Sequence, residues 1–485
     1  MKFPLLFAAT GLLGLVWAES TNDQTVVTYP IPGGITRRTT FNTTVSPSGQ
    51  ARWKAVEAYQ ATVAEVNVTT GSSIYHDTSV AYFDFSAPVD VSVEYMGAEP
   101  IKSVQIRPYS YGIKPFIEGK KILFTLPEPR NLVIQVDNDI FDCLHLFSNT
   151  IDPNLPSADD PNVIYFGPGV HNVVGGTTNV TSGKTVYLAG GAVVTSTFAF
   201  QNVSNASISG RGVVNHAKAG ALLVESSKNI TVEDIIFLNP NGYTLTAGEA
   251  DGLTVKNIRS FSSIGWGDGL DFFCSKNVMV DGVFMRNSDD CVALYQHRWN
   301  YYGNSSNITI KNSALWADVA HPINIGTHGN SEHPETMDGI TIRNVDILRQ
   351  HEPQQLYQGT LAINVGDENL VKNVLVDGFR VEDIAIGQLI NMRVMYNTKY
   401  NTAPGRGIRN VTIKNMSYNG SSAGTSIFSG YDESRKISFI NFQNLIVNHT
   451  RIADNMRKPS WYLTTDYIPA YADSFVSNMT FTQLS

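Results

Sequence analysis

The sequence predicts an all-β fold: a right-handed parallel β-helix (a solenoid of stacked coils) preceded by an N-terminal antiparallel β-sandwich. Three observations carry this. Short runs of alternating apolar and polar residues, such as Val89-Asp90-Val91-Ser92-Val93-Glu94-Tyr95, crowd the first third of the chain. A strand-and-corner phrase then recurs through the remainder. Charged residues make up only 16% of the chain while Gly, Asn, Ser and Thr are plentiful, so turn formers and neutral hydrogen-bonding groups supply the polarity.

With 485 residues the chain exceeds the size at which one compact core stops growing, so two units, or one elongated repeat with an appendage, are expected. Residues 1–18 read as a secretory signal peptide. Lys2 supplies the positive start, Leu5 to Val16 a short apolar run, and Val16 and Ala18 of Val16-Trp17-Ala18 meet the small-residue rule for cleavage after Ala18. The run is too short to span a membrane, and no later stretch approaches twenty apolar residues. Thirteen Asn-x-Ser/Thr sequons, among them Asn42, Asn229, Asn307 and Asn410, fit the same route, so a secreted, extracellular glycoprotein is expected.

Residues 19–158 form the expected sandwich. Alternating strands at 89–95, 103–107, 121–126 and 132–136 are separated by turn residues at close spacing. Ala51 to Glu65 is the one stretch expected to be helical, in a register that extended structure also tolerates.

Residues 159–485 form the expected β-helix. Asn229-Ile-Thr-Val-Glu-Asp-Ile, Gly252-Leu-Thr-Val-Lys-Asn-Ile and Asn277-Val-Met-Val-Asp-Gly-Val open a series continued at Asn307, Gly339, Asn373 and Asn410. Successive starts lie 23, 25, 30, 32, 34 and 37 residues apart, a unit in the low twenties with growing insertions. Each phrase is a short strand with Val or Ile at alternate positions, then a corner of Asn or Asp-Gly, residues that tolerate a left-handed backbone. One coil cannot bury its inward row alone, so coils stack and function is left to outward positions and inserted loops. The insertions from Asn277 onward predict a loop-walled cleft on one side.

The net charge of −8 argues against a nucleic-acid partner and makes a strongly anionic polymer a less natural one, although a local basic cleft can override it. The three cysteines, Cys143, Cys274 and Cys291, form neither a disulfide framework nor a metal-ligand pattern; buried thiols with at most one bridge are expected.

The chemistry-bearing residues are aspartates in adjacent coils, Gly267-Asp268-Gly269-Leu270-Asp271 and Asp289-Asp290-Cys291. Asp268 and Asp289 are 21 residues apart, close to one coil, and stacked strands lie about 4.8 Å apart. Crowded carboxylates titrate apart, one protonated while its neighbours ionise, which is the acid-plus-base pairing that glycoside hydrolysis requires. Asp251 and Asp281, each alone before a glycine, read as ordinary corners.

The order Gly-Asp-Gly-x-Asp, Asp-Asp-Cys, then Ala320-His321-Pro322-Ile323-Asn324-Ile325-Gly326 resembles the clan of inverting glycosidases that holds the polygalacturonase and dextranase/isopullulanase families. Asp-Asp-Cys and the 21-residue spacing are similar to the polygalacturonase side; there the His321 segment would replace a Gly-His-Gly. The sandwich with Ile106-Arg107-Pro108 and Leu144-His145-Leu146-Phe147-Ser148, and the entry Val163 to His171, resemble the dextranase/isopullulanase side. The polygalacturonase Arg-Ile-Lys that grips a substrate carboxylate is matched here by Ala362-Ile363-Asn364, which lacks both cations.

The resemblance implies inverting hydrolysis of a polysaccharide, on a neutral α-glucan in preference to a pectin-type polyuronate. Asp289 would be the acid and Asp268 and Asp290, ionised, would activate water, with His321 and Asp271 in support. Trp266, Tyr295, Trp299, Trp316, His328 and Arg393 are candidate substrate contacts, with Lys399 a further cation. No cofactor and no metal are expected, and the chain is expected to be a monomer with no membrane or nucleic-acid partner. A β-helix lyase using Ca²⁺ and a non-catalytic glycan-binding β-helix are the rival classes.

Overall fold

The computed structural model describes residues 25–483, so the signal-peptide expectation lies outside the described residues. Two small sheets come first. One runs in the order Val26–Thr28, Ser73–Phe85, Leu144–Thr150, Asn131–Val136, Val104–Arg107, with Ala58–Val66 also paired to Ser73–Phe85. The other runs Lys54–Val56, Phe41–Pro47, Val89–Tyr95, Lys121–Leu126, Phe116–Glu118. Val45, Val91, Val93, Ile122, Phe83, Leu132, Ile134 and Leu146 fill one core between them. The pairings are antiparallel with one exception: Leu144–Thr150 runs parallel to Ser73–Phe85.

The expected helix at 51–65 is instead Lys54–Val56 followed by Ala58–Val66, a long strand hydrogen-bonded to Ser73–Phe85. Val56, Val63 and Val66 are β-branched, and alternate side chains must serve two surfaces at once. Val56 and Ala58 enter the sandwich core, while Tyr59, Ala61 and Val63 pack toward the coils. Among the described residues the only helical pieces are two 3₁₀ turns, Tyr109–Tyr111 and Thr464–Tyr467.

The first strand of the large sheet is Val163–Phe166, and the sheet runs to Val476–Thr482 as a right-handed parallel β-helix. The recurring phrases stack in register. Ile230, Leu253, Val278, Ile308, Ile340, Val374 and Val411 form one inward row, and Val232, Val255, Val280, Ile310, Ile342, Val376 and Ile413 a second. All are buried in one continuous column. The corner asparagines take positive φ, 52° at Asn277 and 54° at Asn307, and bridge neighbouring coils. Asn307 Nδ2 donates to Asn277 Oδ1 at 2.7 Å, and Asn410 repeats the bond to Asn373 at 2.7 Å. One hairpin, Leu445–Val447 with Thr450–Ile452, is antiparallel within this sheet.

The sandwich lies along one flank of the coils. Tyr82, Val133 and Phe147 meet Phe261, Phe284 and Trp316 there. Buried ion pairs cross or edge the seam: Arg211 with Asp84 at 2.7 Å, and Arg107 with Glu382 at 2.7 Å. Removing one partner of such a pair strands a buried charge, so the seam fixes how the sandwich sits on the coils. It also brings the hairpin between Ala58–Val66 and Ser73–Phe85 over the aspartate coils. All three cysteines are buried and unbridged.

Candidate active site

The aspartates occupy successive corners of the coils. Asp268 precedes the strand Leu270–Phe273, Asp289 and Asp290 precede Val292–Tyr295, and His321 precedes Ile323–Gly326. Gly269 N donates to Asp290 O at 2.8 Å and Cys291 N donates to His321 O at 2.8 Å, which ties the three corners together. The glycines beside Asp268 are steric requirements. A Cβ at Gly267 would stand 2.5 Å from Ser288 Oγ, and one at Gly269 would stand 2.3 Å from Cys291 O.

Carboxylate oxygens of Asp268, Asp289 and Asp290 converge to within 4.8 Å of one another. They form the floor of a cavity of about 570 Å³. Trp266, Tyr295 and His328 also line it. So do Tyr243, Arg298, Glu352, Tyr357, Lys399 and Tyr400, and Glu65, Val66 and Ser73 of the sandwich hairpin. The N-terminal unit therefore supplies one wall.

Asp290 is the most heavily engaged carboxylate. Its Oδ1 accepts from His321 N at 3.1 Å and faces His321 Nδ1 at 2.6 Å; its Oδ2 accepts from Tyr295 Oη and Asn324 Nδ2, each at 2.8 Å. Burial alone would raise its pKa, but the His321 charge and these donors hold it below the usual carboxylate range. His321 is fully buried, which opposes its charge, yet Asp290 on Nδ1 and the Tyr357 carbonyl on Nε2 lift it to about 9. Asp289 is half-buried; burial and the charge of Asp290 push it up to about 7.

Asp268 departs from the expectation that it is ionised. Burial first, then Asp271, Asp289 and Asp290, raise it well above the ordinary value. Asp271 lies behind it, fully buried, with no hydrogen-bond partner on either oxygen and its pKa raised by burial and Asp290. The inner pair thus favours the protonated form, and Asp290 is the carboxylate that the surroundings keep charged. A divalent cation at these carboxylates would have to stand against the charged His321 imidazole, which faces Asp290 Oδ1 at 2.6 Å.

Trp299 stands at the rim, 53% exposed, beside Arg298 and outside the cavity wall. Arg393, on Ile390–Val394, is not in the cavity; its guanidinium donates to Leu356 O, and its neighbour on the preceding coil is Asn364. Trp316 must be removed from the candidate contacts. It is fully buried at the sandwich seam, with Arg286 4.2 Å from the ring centroid, Arg107 4.8 Å from it, and Nε1 donating to Asp318 at 2.9 Å. Its side chain points to the flank that the sandwich covers.

Sequence reasoning missed Arg298, Glu352, Tyr357 and the hairpin residues. Asn324 carried a signal, since it lies three residues after His321 in the same Ala320–Gly326 segment. Arg298, Glu352 and Tyr357 sit in inserted loops, where no periodicity marks which side chains turn inward, and Glu65, Val66 and Ser73 come from the sandwich, far from the coils in sequence.

Residues 163–352 match the family model described as glycosyl hydrolases family 28, a span that includes every aspartate of the cluster and His321. The chain is 32% identical over 125 residues to a polygalacturonase of Juniperus ashei, covering 25% of this chain and 23% of the relative. It is 26% identical over 208 residues to an exopolygalacturonase of Cochliobolus carbonum, covering 39% of this chain and 44% of the relative. The chain thus spans less than half the length of these curated relatives. In structure it is similar to Dex49A from Penicillium minioluteum, with a TM-score of 0.68 over 94% of this chain and 96% of that one at 12% identity. That likeness extends the shared fold across both units.

Proposed function

We propose that the chain is a secreted glycosidase that hydrolyses O-glycosidic bonds of a polysaccharide with inversion, acting on a neutral α-glucan. The observation that carries the reading is the division of charge among three converging carboxylates. Asp290 is held ionised by His321, Asn324 and Tyr295, while Asp289, next in sequence and open to the cavity, sits near 7. Asp289 is then the general acid, donating its proton to the glycosidic oxygen. Asp290 is the general base that takes a proton from water, and Asp268 orients that water. Inverting pairs usually stand about 6.5–9.5 Å apart with the water between acid and base; one oxygen of each of the three carboxyls here lies within 4.8 Å of the others, so the anomer released first decides the stereochemistry, and a retained anomer would replace inversion by a double displacement.

The neutral substrate rests on Ala362 and Asn364. Both are buried, and neither offers the cation that a uronate carboxylate requires. A pectin-type polyuronate is the second reading, favoured by the family 28 match and by Arg298 and Lys399 on the cavity wall.

Reducing-sugar release from dextran, pullulan and polygalacturonate, with and without EDTA, tests both. Release from a neutral glucan that EDTA leaves intact is expected. Cleavage of polygalacturonate alone would transfer the assignment to the second reading, EDTA-sensitive release of unsaturated product would mean a lyase, and no release from any polymer would sink hydrolysis.

A further inference from the structure

Residues 297–302 fold back over the outside of the aspartate coils, and the structure holds them there with unusual thoroughness. Glu335, 5% exposed, accepts from His297 N at 2.8 Å and from Gly303 N at 2.6 Å. Glu249 accepts from Tyr302 N at 2.9 Å, and Glu225 accepts from Tyr301 Oη. These glutamates come from three different coils. Tyr301 is seated against Gly248, where a Cβ would lie 2.2 Å from its ring, so the coil is shaped to receive it.

What this anchored loop displays is aromatic and wet. Trp299 is 53% exposed and Tyr302 55% exposed. Trp299 adopts a left-handed backbone, φ 53°, which is uncommon for a bulky residue. Its ring is braced by Phe273 at 5.2 Å between centroids, and Tyr302 is stacked on His297 at 4.2 Å. Arg298, between cavity and loop, lies 4.7 Å from the Trp299 centroid, and its guanidinium has no hydrogen-bond or ion-pair partner among the described residues. Exposed Asn300 and Asn304 interrupt the rings, so the surface is no continuous apolar patch of the kind a protein partner covers. It alternates flat faces with hydrogen-bonding groups, as a pyranose chain does with its C–H faces and hydroxyls.

We infer that residues 297–302 form a rigid sugar-stacking platform, with Trp299 and Tyr302 as its faces, that binds pyranose rings of a glycan chain beyond the catalytic cavity and leads that chain inward past Arg298. This rests on the glycan reading of the cleft. It adds a binding surface that the carboxylates do not need for chemistry, and it acts on affinity for long chains.

The test is native electrophoresis of the full chain through gels containing dextran, pullulan or polygalacturonate, in an Asp289→Asn background so that the polymer is not digested. Retardation by at least one polymer is expected. Trp299→Ala with Tyr302→Ala should weaken it by roughly tenfold in apparent affinity, while Trp299→Phe with Tyr302→Phe, which keeps flat faces and guards against a folding defect, should retain most of it. Equal retardation of the alanine variant in every gel that slows the parent would overturn the platform, as would a parent that no gel slows. Platform-dependent retardation without sugar release by the unsubstituted chain would uphold the platform and defeat hydrolysis.

Discussion

His321 Nδ1 stands 2.6 Å from Asp290 Oδ1, and its Nε2 faces the carbonyl oxygen of Tyr357. Both ring nitrogens therefore meet acceptors, and the ring satisfies both only as imidazolium, with a proton on each. The charge lies inside the protein where burial opposes it, so the pair is held together by mutual need: His321 keeps Asp290 ionised, and Asp290 keeps His321 protonated.

Replacing His321 by Gln should therefore change the shape of the pH profile as well as its height. Without the imidazolium, burial dominates Asp290 and raises its pKa. The acidic limb of kcat/KM should move to higher pH. A variant whose limbs stay in place while the whole profile falls would show that His321 merely supports the corner.

The same pair sets a stability window. His321 titrates near 9 in the folded chain against an ordinary 6.5, so its stabilisation is full below 6.5 and is lost as pH rises through about 9. Asp290 is shifted the other way, so its share is present above the ordinary carboxylate range and is lost as pH falls through its lowered value. Thermal melts of the unsubstituted chain should show Tm falling across the alkaline interval, and His321→Gln should lack that fall.

Asp271 should be a liability in the folded state. Its pKa is raised by burial, so the folded chain binds a proton that the unfolded chain releases, and stability drops as pH climbs above the ordinary carboxylate range. Asp271→Asn removes the ionisation and should raise Tm at pH 7 relative to pH 4 while lowering turnover. An unchanged Tm difference between the two pH values would show that Asp271 is not under this strain.

The repeat was legible because the sequence period and the coil are the same object: the Val and Ile rows of each phrase became the buried rows, and the Asn corners the left-handed ladder. Adjacent coils likewise announced that Asp268, Asp289 and Asp290 would converge. Burial was not legible. The sequence suggested like-charge repulsion as the force on these carboxyls, whereas desolvation leads for Asp268, and Asp268 was accordingly expected to be ionised. Trp316 shows the same blindness, since its neighbours in sequence are cleft loops and its neighbours in space belong to a sandwich more than 150 residues earlier. The strand at Ala58–Val66 was obscured because both of its faces are covered, which erases the alternation that separates strand from helix.

Trp316→Ala should separate packing from substrate contact. The indole fills the seam between two arginines, and deleting a fully buried aromatic costs about 3–5 kcal/mol. Denaturant unfolding should register that loss, with KM for the polymer little changed at temperatures where the variant stays folded. A large rise in KM without loss of stability would return Trp316 to the substrate.

The sharpest test of the proposed chemistry is Asp289→Asn. Asp289 is the cluster carboxyl that is both open to the cavity and poised near 7, because burial and the Asp290 charge disfavour its anion. A group with that pKa is protonated in mildly acidic medium, available to the leaving oxygen, and lost as a donor when pH passes about 7; activity of the unsubstituted chain should therefore fall along an alkaline limb centred there. Asn preserves shape but has no proton to give. General acid catalysis contributes about 10²–10⁴-fold, so kcat should drop by at least that order, and residual activity should lose the alkaline limb. Binding should persist, because the cavity walls are untouched. Asp281→Asn, at a half-buried corner where Asp281 accepts from Asn312 Nδ2 at 2.8 Å and pairs with Lys311, should leave turnover intact. Near-normal kcat for Asp289→Asn on the cleaved polymer, with the alkaline limb in place, would move the acid role to another carboxyl, with Asp268 first in line.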